Sequence, residues 1–410
     1  MRVLFILSQR PELTGSGITV DALVRQAIAA GHEPWVLCGV PAGERAPEVG
    51  GLPPGRVTTV RFGDGGDLPF AVPGMSDVMP YASTVWSTMT ADQLSIYRDI
   101  WKQAICTTAA RCRPDLVHGN HLWLVSSLLP EALPGVPALA HCHGTGLRQM
   151  ALCPQLREQI LPGLRRLRGF AVLHDDHAQQ IAAILGAARS DIHVVGAGYR
   201  DELFHLSADT DADARRDHLA YVGKFAAAKG LPWLLDACEA CWAAGEPLTL
   251  HVIGDGAGAE AEALRRRMQD LAPRVMIHGR LGQADLADRL RRCAALVLPS
   301  FYEGLPLVLA EARACGCRLV STALPGVVKQ LAPAFGPALD LVEPPRLSGP
   351  DTPESADLPG FTRRLARAVA AAAVAPLLPP TTGELAPFTW AAVFARVEQA
   401  WQAAARPPRG

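Results

Sequence analysis

The chain has 410 residues, 49% of them hydrophobic, and a formal net charge of −1. That length is too great for a single hydrophobic core and predicts two or three domains. Near-neutral charge without any Lys/Arg block argues against electrostatic nucleic-acid binding, and the Ala-rich stretch at 365–378 is too weakly hydrophobic for stable membrane insertion.

Short apolar runs alternate with helical periodicity from end to end, the pattern of parallel sheets with helices on both faces. The first run, MRVLFIL, is short and meets Ser8, so it reads as a buried strand and not as a signal peptide; the expected location is cytoplasmic. Strands are expected at 3–7, 34–38, 57–62, 116–118, 138–140, 169–173 and 192–195. Helices fall between them at 17–30, 90–111, 122–129 and 176–185. A second series of strands runs 219–222, 249–253, 275–278, 295–298 and 318–321. Turn residues from Gly196 to Tyr199 and the polar insert 207–217 separate the two series, giving domains at 1–198 and 199–385. Residues 344–359 read as a surface loop and 389–404 as an amphipathic helix within a terminal segment, 386–410. The fold class is therefore α/β, with two Rossmann-like domains. Cys238-x-x-Cys241 and Cys315-x-Cys317 lie in Ala-rich helical sequence without a second pair at zinc spacing, and read as reduced thiols.

Chemistry concentrates where strands end. After the strand at 295–298, the turn Glu303-Gly304-Leu305-Pro306 leads into a helix from Leu307 that carries Glu311 and stops at Gly316. The two carboxylates flank a helix N-terminus, whose free N–H groups suit an anion. The arrangement can hold a phosphate on amides while the acids accept hydrogen bonds from hydroxyls, as a sugar nucleotide requires. Gly223 permits close backbone approach after the strand at 219–222, and Lys224 and Lys229 flank the loop that follows, a pair suited to a diphosphate. Gly254-Asp255-Gly256 is a Gly-rich turn of the phosphate-loop kind, although such turns also serve plain helix–strand packing. His278 and Arg280 end the next strand, where a nucleobase can lie. Gly15 and Gly17 follow the first strand and either approach a donor phosphate or form a plain turn.

Four histidines cluster in the first domain: His118 and His121 about Asn120, then His141 and His143 before Gly144-Thr145-Gly146. Neither loop holds an acidic residue and both follow parallel strands, so a small-molecule site is expected there in preference to zinc. His143 is the candidate to touch a transferred sugar. The long loop at 63–88 offers Met75, Asp77, Met79, Tyr81 and Trp86 as a lid or acceptor wall. Arg148 and Gln149 could bind an acceptor carboxylate or phosphate. The arginines at 157–168 read as a solvated face interrupted by Pro162.

With these residues assembled, the chain resembles the family-4 retaining glycosyltransferases of the GT-B fold. The resemblance runs nearly the whole length and is most specific from Leu219 to Gly326. It rests on Glu303 and Glu311, the Lys224/Lys229 loop, the His143-Gly144 loop and Trp390 in the last helix, in the expected order. It implies two Rossmann-like domains about an interdomain cleft, with the last helix crossing back onto the first domain. It further implies that Glu303 lies beside the donor sugar, Glu311 on ribose hydroxyls, Lys224 and Lys229 on the diphosphate, and His143 on the sugar. Lys224 is a departure, since Arg is common there. Glu303, His143 and Lys229 are thus the catalytic candidates. Gly15, Gly17, Gly223, Lys224, Gly254, His278, Arg280, Gly304, Leu305, Pro306, Leu307 and Glu311 are the donor-binding ones. Asp77, Tyr81, His118, Asn120, His121 and Arg148 are the acceptor-binding ones.

The implied reaction is front-face attack with retention, a UDP or GDP sugar as co-substrate, and no cofactor or metal. The acceptor is expected to be a soluble small molecule; the composition resembles a high-GC bacterium and points to antibiotic-type or thiol metabolites. Two other readings stay open: a GT-B sugar-nucleotide epimerase and a non-catalytic nucleotide-sugar-binding protein. An NAD dehydrogenase would need a G-x-G-x-x-G with a downstream acid, which no stretch supplies cleanly.

Overall fold

The computed structural model describes residues 1–11, 14–76, 79, 81–207 and 211–406. The chain divides into two compact units, Met1–Ala197 with the segment from Trp390, and Gly198–Thr389. In the first unit seven strands follow in chain order: β1 (Arg2–Leu7), β2 (Glu33–Pro41), β3 (Val57–Phe62), β4 (Leu116–Asn120), β5 (Ala138–Cys142), β6 (Gly169–Val172) and β7 (Ile192–Val194). They pair in parallel in the order β3-β2-β1-β4-β5-β6-β7. β1 and β4 are buried almost throughout, which is why they read as continuous apolar runs without alternation.

The second unit holds β8 (His218–Val222), β9 (Thr249–Ile253), β10 (Val275–Gly279), β11 (Ala295–Leu298), β12 (Arg318–Thr322) and β13 (Leu339–Val342). These pair in parallel in the order β10-β9-β8-β11-β12-β13. In both sheets the order reverses beside the first strand, between β1 and β4 and between β8 and β11. Ligands of open α/β sheets bind beyond the strand ends at such a reversal.

Strand β13 escapes a periodicity reading because it is a four-residue edge strand with Asp340 half-buried and Leu341 exposed between two buried residues. The helix Leu358–Val374 was visible only as an Ala-rich stretch. It buries Phe361, Leu365, Val369 and Ala372, a single stripe at helical spacing, against the second unit's core. The helix Trp390–Ala405 packs on the helix Gly15–Ala29 and on β5, β6 and β7 of the first unit. Its Trp401 is fully buried, with its ring centroid 5.7 Å from Phe5 and 5.5 Å from His32.

In the described part of the loop at 63–88, the side chains expected as a lid or acceptor wall pack inward. Met75 and Trp86 are buried in the first unit's core, and the Trp86 ring lies 5.3 Å from Tyr97 and 5.8 Å from Trp123. Met79 is buried too, and Tyr81 packs against the same core. Asp77 lies outside the described residues. The arginine segment is also different in detail: the helix Pro154–Leu164 continues through Pro162, and Arg166 donates to the Pro130 carbonyl at 3.3 Å. Cys238, Cys241, Cys315 and Cys317 are buried free thiols, with burial pushing each thiol pKa up. Among the described residues, no helix is long and apolar enough to cross a membrane.

Candidate active site

In the second unit the decisive loops leave β8 and β11, the two strands at the reversal. Gly230 holds them together: its φ is +70°, and a Cβ there would lie 2.1 Å from the Pro299 carbonyl oxygen. Only glycine tolerates both the left-handed backbone and that approach. The Phe301 amide then donates to the Ala228 carbonyl at 3.0 Å, tying one loop to the other.

This clamp brings Lys229 to Glu303. The Lys229 ammonium donates to Glu303 Oε1 at 2.6 Å and to the Tyr302 carbonyl at 3.3 Å, and the Ser300 hydroxyl donates to the same Oε1 at 2.8 Å. Thr322 on β12 fixes Ser300 from below by donating to its carbonyl. Both charged side chains are about one-fifth exposed, so the pair is partly desolvated yet open to a ligand. An ammonium has three N–H bonds and two are used here, which leaves one for an anion. Glu303 Oε2 has no hydrogen bond among the described residues, leaving an acceptor oxygen for a hydroxyl.

Beside this pair, Gly254 has φ +132°, and a Cβ on it would stand 1.9 Å from the Gly223 carbonyl oxygen. The Gly223 and Gly254 turns are thereby packed backbone to backbone at the ends of β8 and β9. The Gly223 amide donates to Ile253 and the Gly254 amide to Gly279. The Tyr221 hydroxyl holds the Lys224 carbonyl at 2.7 Å. Asp255 is 2.6 Å from Arg265 and 3.9 Å from Arg280, an ion-pair group that spacing alone did not reveal.

The helix Leu307–Ala314 follows Pro306, and no side chain caps its N-terminus. Its first amides are thus the uncapped donors that the turn at Gly304 and Leu305 was expected to supply. Glu311, one turn in, is buried, and burial alone pushes its carboxyl up to about 7. His278 does not simply end its strand. Its ring bonds His251 at 2.9 Å, and His251 in turn bonds His218 at 2.9 Å.

The first unit assembles a second group at its own sheet reversal. Gln9, after β1, donates to Thr14 and Ser16 at 3.0 and 2.9 Å, fixing the first turn of the helix that contains Gly15 and Gly17. A Cβ on Gly17 would fall 1.4 Å from the Pro11 carbonyl oxygen, so that turn is closed to any other residue. Gln9 Oε1 also accepts from the Met75 amide at 3.4 Å, and Gln149 donates to the Met75 carbonyl at 3.3 Å. Gln149 is therefore buried scaffolding and not an acceptor ligand. Arg148 sits beside it, partly buried, on the helix Thr145–Leu152.

The histidines form a defined network. Trp401 Nε1–H donates to His118 Nδ1 at 2.9 Å, so the neutral His118 carries its proton on Nε2, which faces His141 Nδ1 at 3.3 Å. His118 is fully buried and stacked on Phe5, with both ring nitrogens occupied. That removes it from the acceptor-binding set, because no edge remains for a ligand. The same proton count leaves His141 with an Nε2–H, and that nitrogen has no partner; His121 Nε2 is likewise buried and unpaired. A buried polar atom without a partner calls for an explanation, and a ligand or an ordered water supplies one.

Asn120 settles the state of His143. Its amide nitrogen donates to the Ile6 and His118 carbonyls at 3.3 and 3.4 Å, which directs Oδ1 to His143 Nε2 at 3.0 Å. The proton of His143 therefore sits on Nε2, and Nδ1 is left as an acceptor. Burial, reinforced by His141, His121, His118 and His177, holds the His143 pKa well below the usual imidazole range. The ring stacks on His141 at 4.3 Å. Thr145 Oγ1, after β5, lies 3.1 Å from His121 Nδ1, after β4. Among the described residues, no group of three or more His, Cys, Asp or Glu side chains has an arrangement that could hold a metal ion.

Comparison with known proteins decides the family. Residues 14–198 match the family model described as a glycosyl transferase 4-like domain, and residues 216–335 match the one described as glycosyl transferases group 1. The chain belongs to the family-4 group of GT-B glycosyltransferases.

Among curated relatives, a D-inositol 3-phosphate glycosyltransferase 1 of Catenulispora acidiphila is 28% identical over 52% of this chain and 57% of its own. A D-inositol 3-phosphate glycosyltransferase of Xylanimonas cellulosilytica is 30% identical over 37% of this chain and 40% of its own. The chain thus spans about half the length of the curated relatives it matches. Two solved structures share the fold along the whole chain. A sucrose-phosphate synthase from Thermosynechococcus elongatus has a TM-score of 0.68 at 19% identity, covering 98% of each chain. The Anabaena HepE protein, solved with UDP and glucose, has a TM-score of 0.64 at 14% identity, covering 98% of this chain and 100% of its own.

Proposed function

We propose that this glycosyltransferase moves a sugar, with retention of configuration, from a nucleotide-diphosphate sugar to a soluble small-molecule acceptor in the cytoplasm. The observation that carries the reading is the Lys229–Glu303–Ser300 group at the β8/β11 reversal. It sets one free ammonium N–H and one free carboxylate oxygen at a strand end whose following helix has an uncapped N-terminus. Uridine is the first base to test, since HepE was solved with UDP. D-inositol 3-phosphate is the first acceptor to test, since it appears in the relatives' names.

In this reading Lys229, Lys224 and the helix amides hold the diphosphate, and Glu311 holds ribose hydroxyls. Glu303 Oε2 accepts from a hydroxyl of the sugar. The anomeric carbon–oxygen bond to the diphosphate lengthens, and the acceptor oxygen attacks from the same face. The departing phosphate oxygen takes the acceptor's proton. The protein's part is positioning and charge stabilisation, which preorganised donors provide without reorganisation. His143 accepts a sugar hydroxyl on Nδ1. No resident metal is required, because the ammonium groups and amides offset the leaving charge; turnover is expected to persist in EDTA.

Lys229→Ala tests the donor assignment. It removes a charge-assisted bond to the leaving group, of about 1.5–3 kcal/mol, so kcat/KM should fall by roughly tenfold or more. Steady-state kinetics within about twofold of the parent would reject the role. Proton NMR of the product should show the donor's anomeric configuration, and an inverted product would reject the mechanism.

A further inference from the structure

A second cationic site lies in the same unit, on elements the donor reading leaves unused. Its floor is the histidine ladder. His218 on β8, His251 on β9 and His278 on β10 run diagonally across three neighbouring strands, bonded ring to ring at 2.9 Å in both steps. The ladder uses His218 Nδ1 and both nitrogens of His251, so His218 Nε2 stays unspent.

Over the ladder opens a cavity of about 510 Å³, lined by His218, His251, Arg289 and Arg292 among others. That volume is the size of a metabolite pocket. The acids in its wall are already engaged. Asp288 pairs with Arg291 at 2.5 Å, and Asp211 caps the short helix Ala212–Arg215 through the Asp213 and Ala214 amides. Arg215 Nε and Nη2 are taken by the Cys293 carbonyl.

Arg289 and Arg292 have no such partner. Among the described residues neither guanidinium makes a hydrogen bond or ion pair, although Arg289 is close enough to depress both His251 and His278. For His251 burial is the larger cause and Arg289 the next, and together with the neighbouring histidines they bring it to about 3. Two guanidinium groups without a bond of their own thus share this wall with the His218 and His251 rings, and offer their donors to an anion. A guanidinium presents paired donors matched to phosphate oxygens.

We propose that this cavity is a binding site for a small phosphorylated metabolite, separate from the donor site, with the phosphate held by Arg289 and Arg292 and by His218 Nε2. The ladder ends at His278, one residue before Gly279, whose carbonyl takes the Gly254 amide of the donor-side turn. An occupant is thereby linked to that turn through three rings and one strand end.

Calorimetric titration with inorganic phosphate at pH 7, against potassium chloride at equal ionic strength, tests the site in the full chain. The comparison runs the parent protein, the Arg289→Gln/Arg292→Gln double variant, and Lys229→Ala. Phosphate should bind the parent and Lys229→Ala alike, and the double variant about tenfold or more weakly, the scale of losing charge-assisted bonds. Arg292→Gln alone, at an exposed position that folding does not need, should give an intermediate loss. Phosphate binding that is equal in the parent and the arginine variants overturns the site, as does the absence of binding to the parent. Binding lost only in Lys229→Ala overturns it too, and would place the anion at the donor site instead.

Discussion

His143→Ala should lower kcat/KM by roughly 30- to 1,000-fold while leaving the fold intact, the equivalent of about 2–4 kcal/mol of lost preorganised stabilisation. The size follows from how firmly the ring is set. Asn120 Oδ1 accepts from the His143 Nε2–H, and its own amide is anchored on two backbone carbonyls, so Nδ1 is presented in one orientation. Stacking on His141 at 4.3 Å restricts the ring further. A group fixed in this way adds no reorganisation cost when the sugar changes shape. The depressed pKa adds a pH test: His143 stays neutral down to well below the ordinary imidazole range, so it should contribute no acid limb to kcat between about pH 6 and 8. Asn120→Ala should retain part of the activity and raise the acid limb, because it frees the ring without removing it. A His143→Ala enzyme within about threefold of the parent, with unchanged melting, would end the assignment.

Glu311→Gln should separate stability from donor affinity in opposite directions. Burial raises the Glu311 carboxyl from 4.5 to about 7 in the folded chain. Between those values the native state binds more protons than the unfolded state, so this group's contribution falls as pH rises and levels off above about 7. The glutamine variant carries no such term. It should match the parent near pH 4.5 and exceed it by up to about 3 kcal/mol at pH 8, the free energy of that difference in proton affinity. Melting curves across that range show it as several degrees in Tm. Nucleotide affinity should move the other way, since an ionised carboxylate is the stronger acceptor for ribose hydroxyls, by about 1.5–3 kcal/mol. Parallel Tm–pH profiles for the two proteins would contradict the buried-carboxylate account. Equal nucleotide affinity in calorimetry would contradict the ribose role.

The amino-acid sequence by itself determined the alternation of apolar runs and helices, and hence two parallel sheets. It also determined the loops where chemistry gathers. These are local properties: a strand, a turn residue and a helix start lie within a few positions of each other, so Glu303, Glu311, Lys229 and His143 announce themselves by neighbours along the chain. Strand β13 is the exception that shows the rule, since four edge residues buried only at their two ends carry too little periodicity to register.

Tertiary structure decided everything that depends on which distant side chain arrives next to which. His118 and His143 look alike in sequence, yet Trp401, brought in from the far end of the chain, buries the first, while Asn120 fixes the second with one nitrogen free. Met75 and Trp86 read as a wall for a ligand and instead fill the core, because loop residues are placed by the cavity they complete and not by their spacing. The His218–His251–His278 ladder exists only once β8, β9 and β10 are in register, and each histidine taken singly is unremarkable. The raised pKa of Glu311 is likewise a property of its surroundings: the same carboxyl on an exposed helix would titrate normally, and only packing against the second sheet removes the water that would keep it ionised.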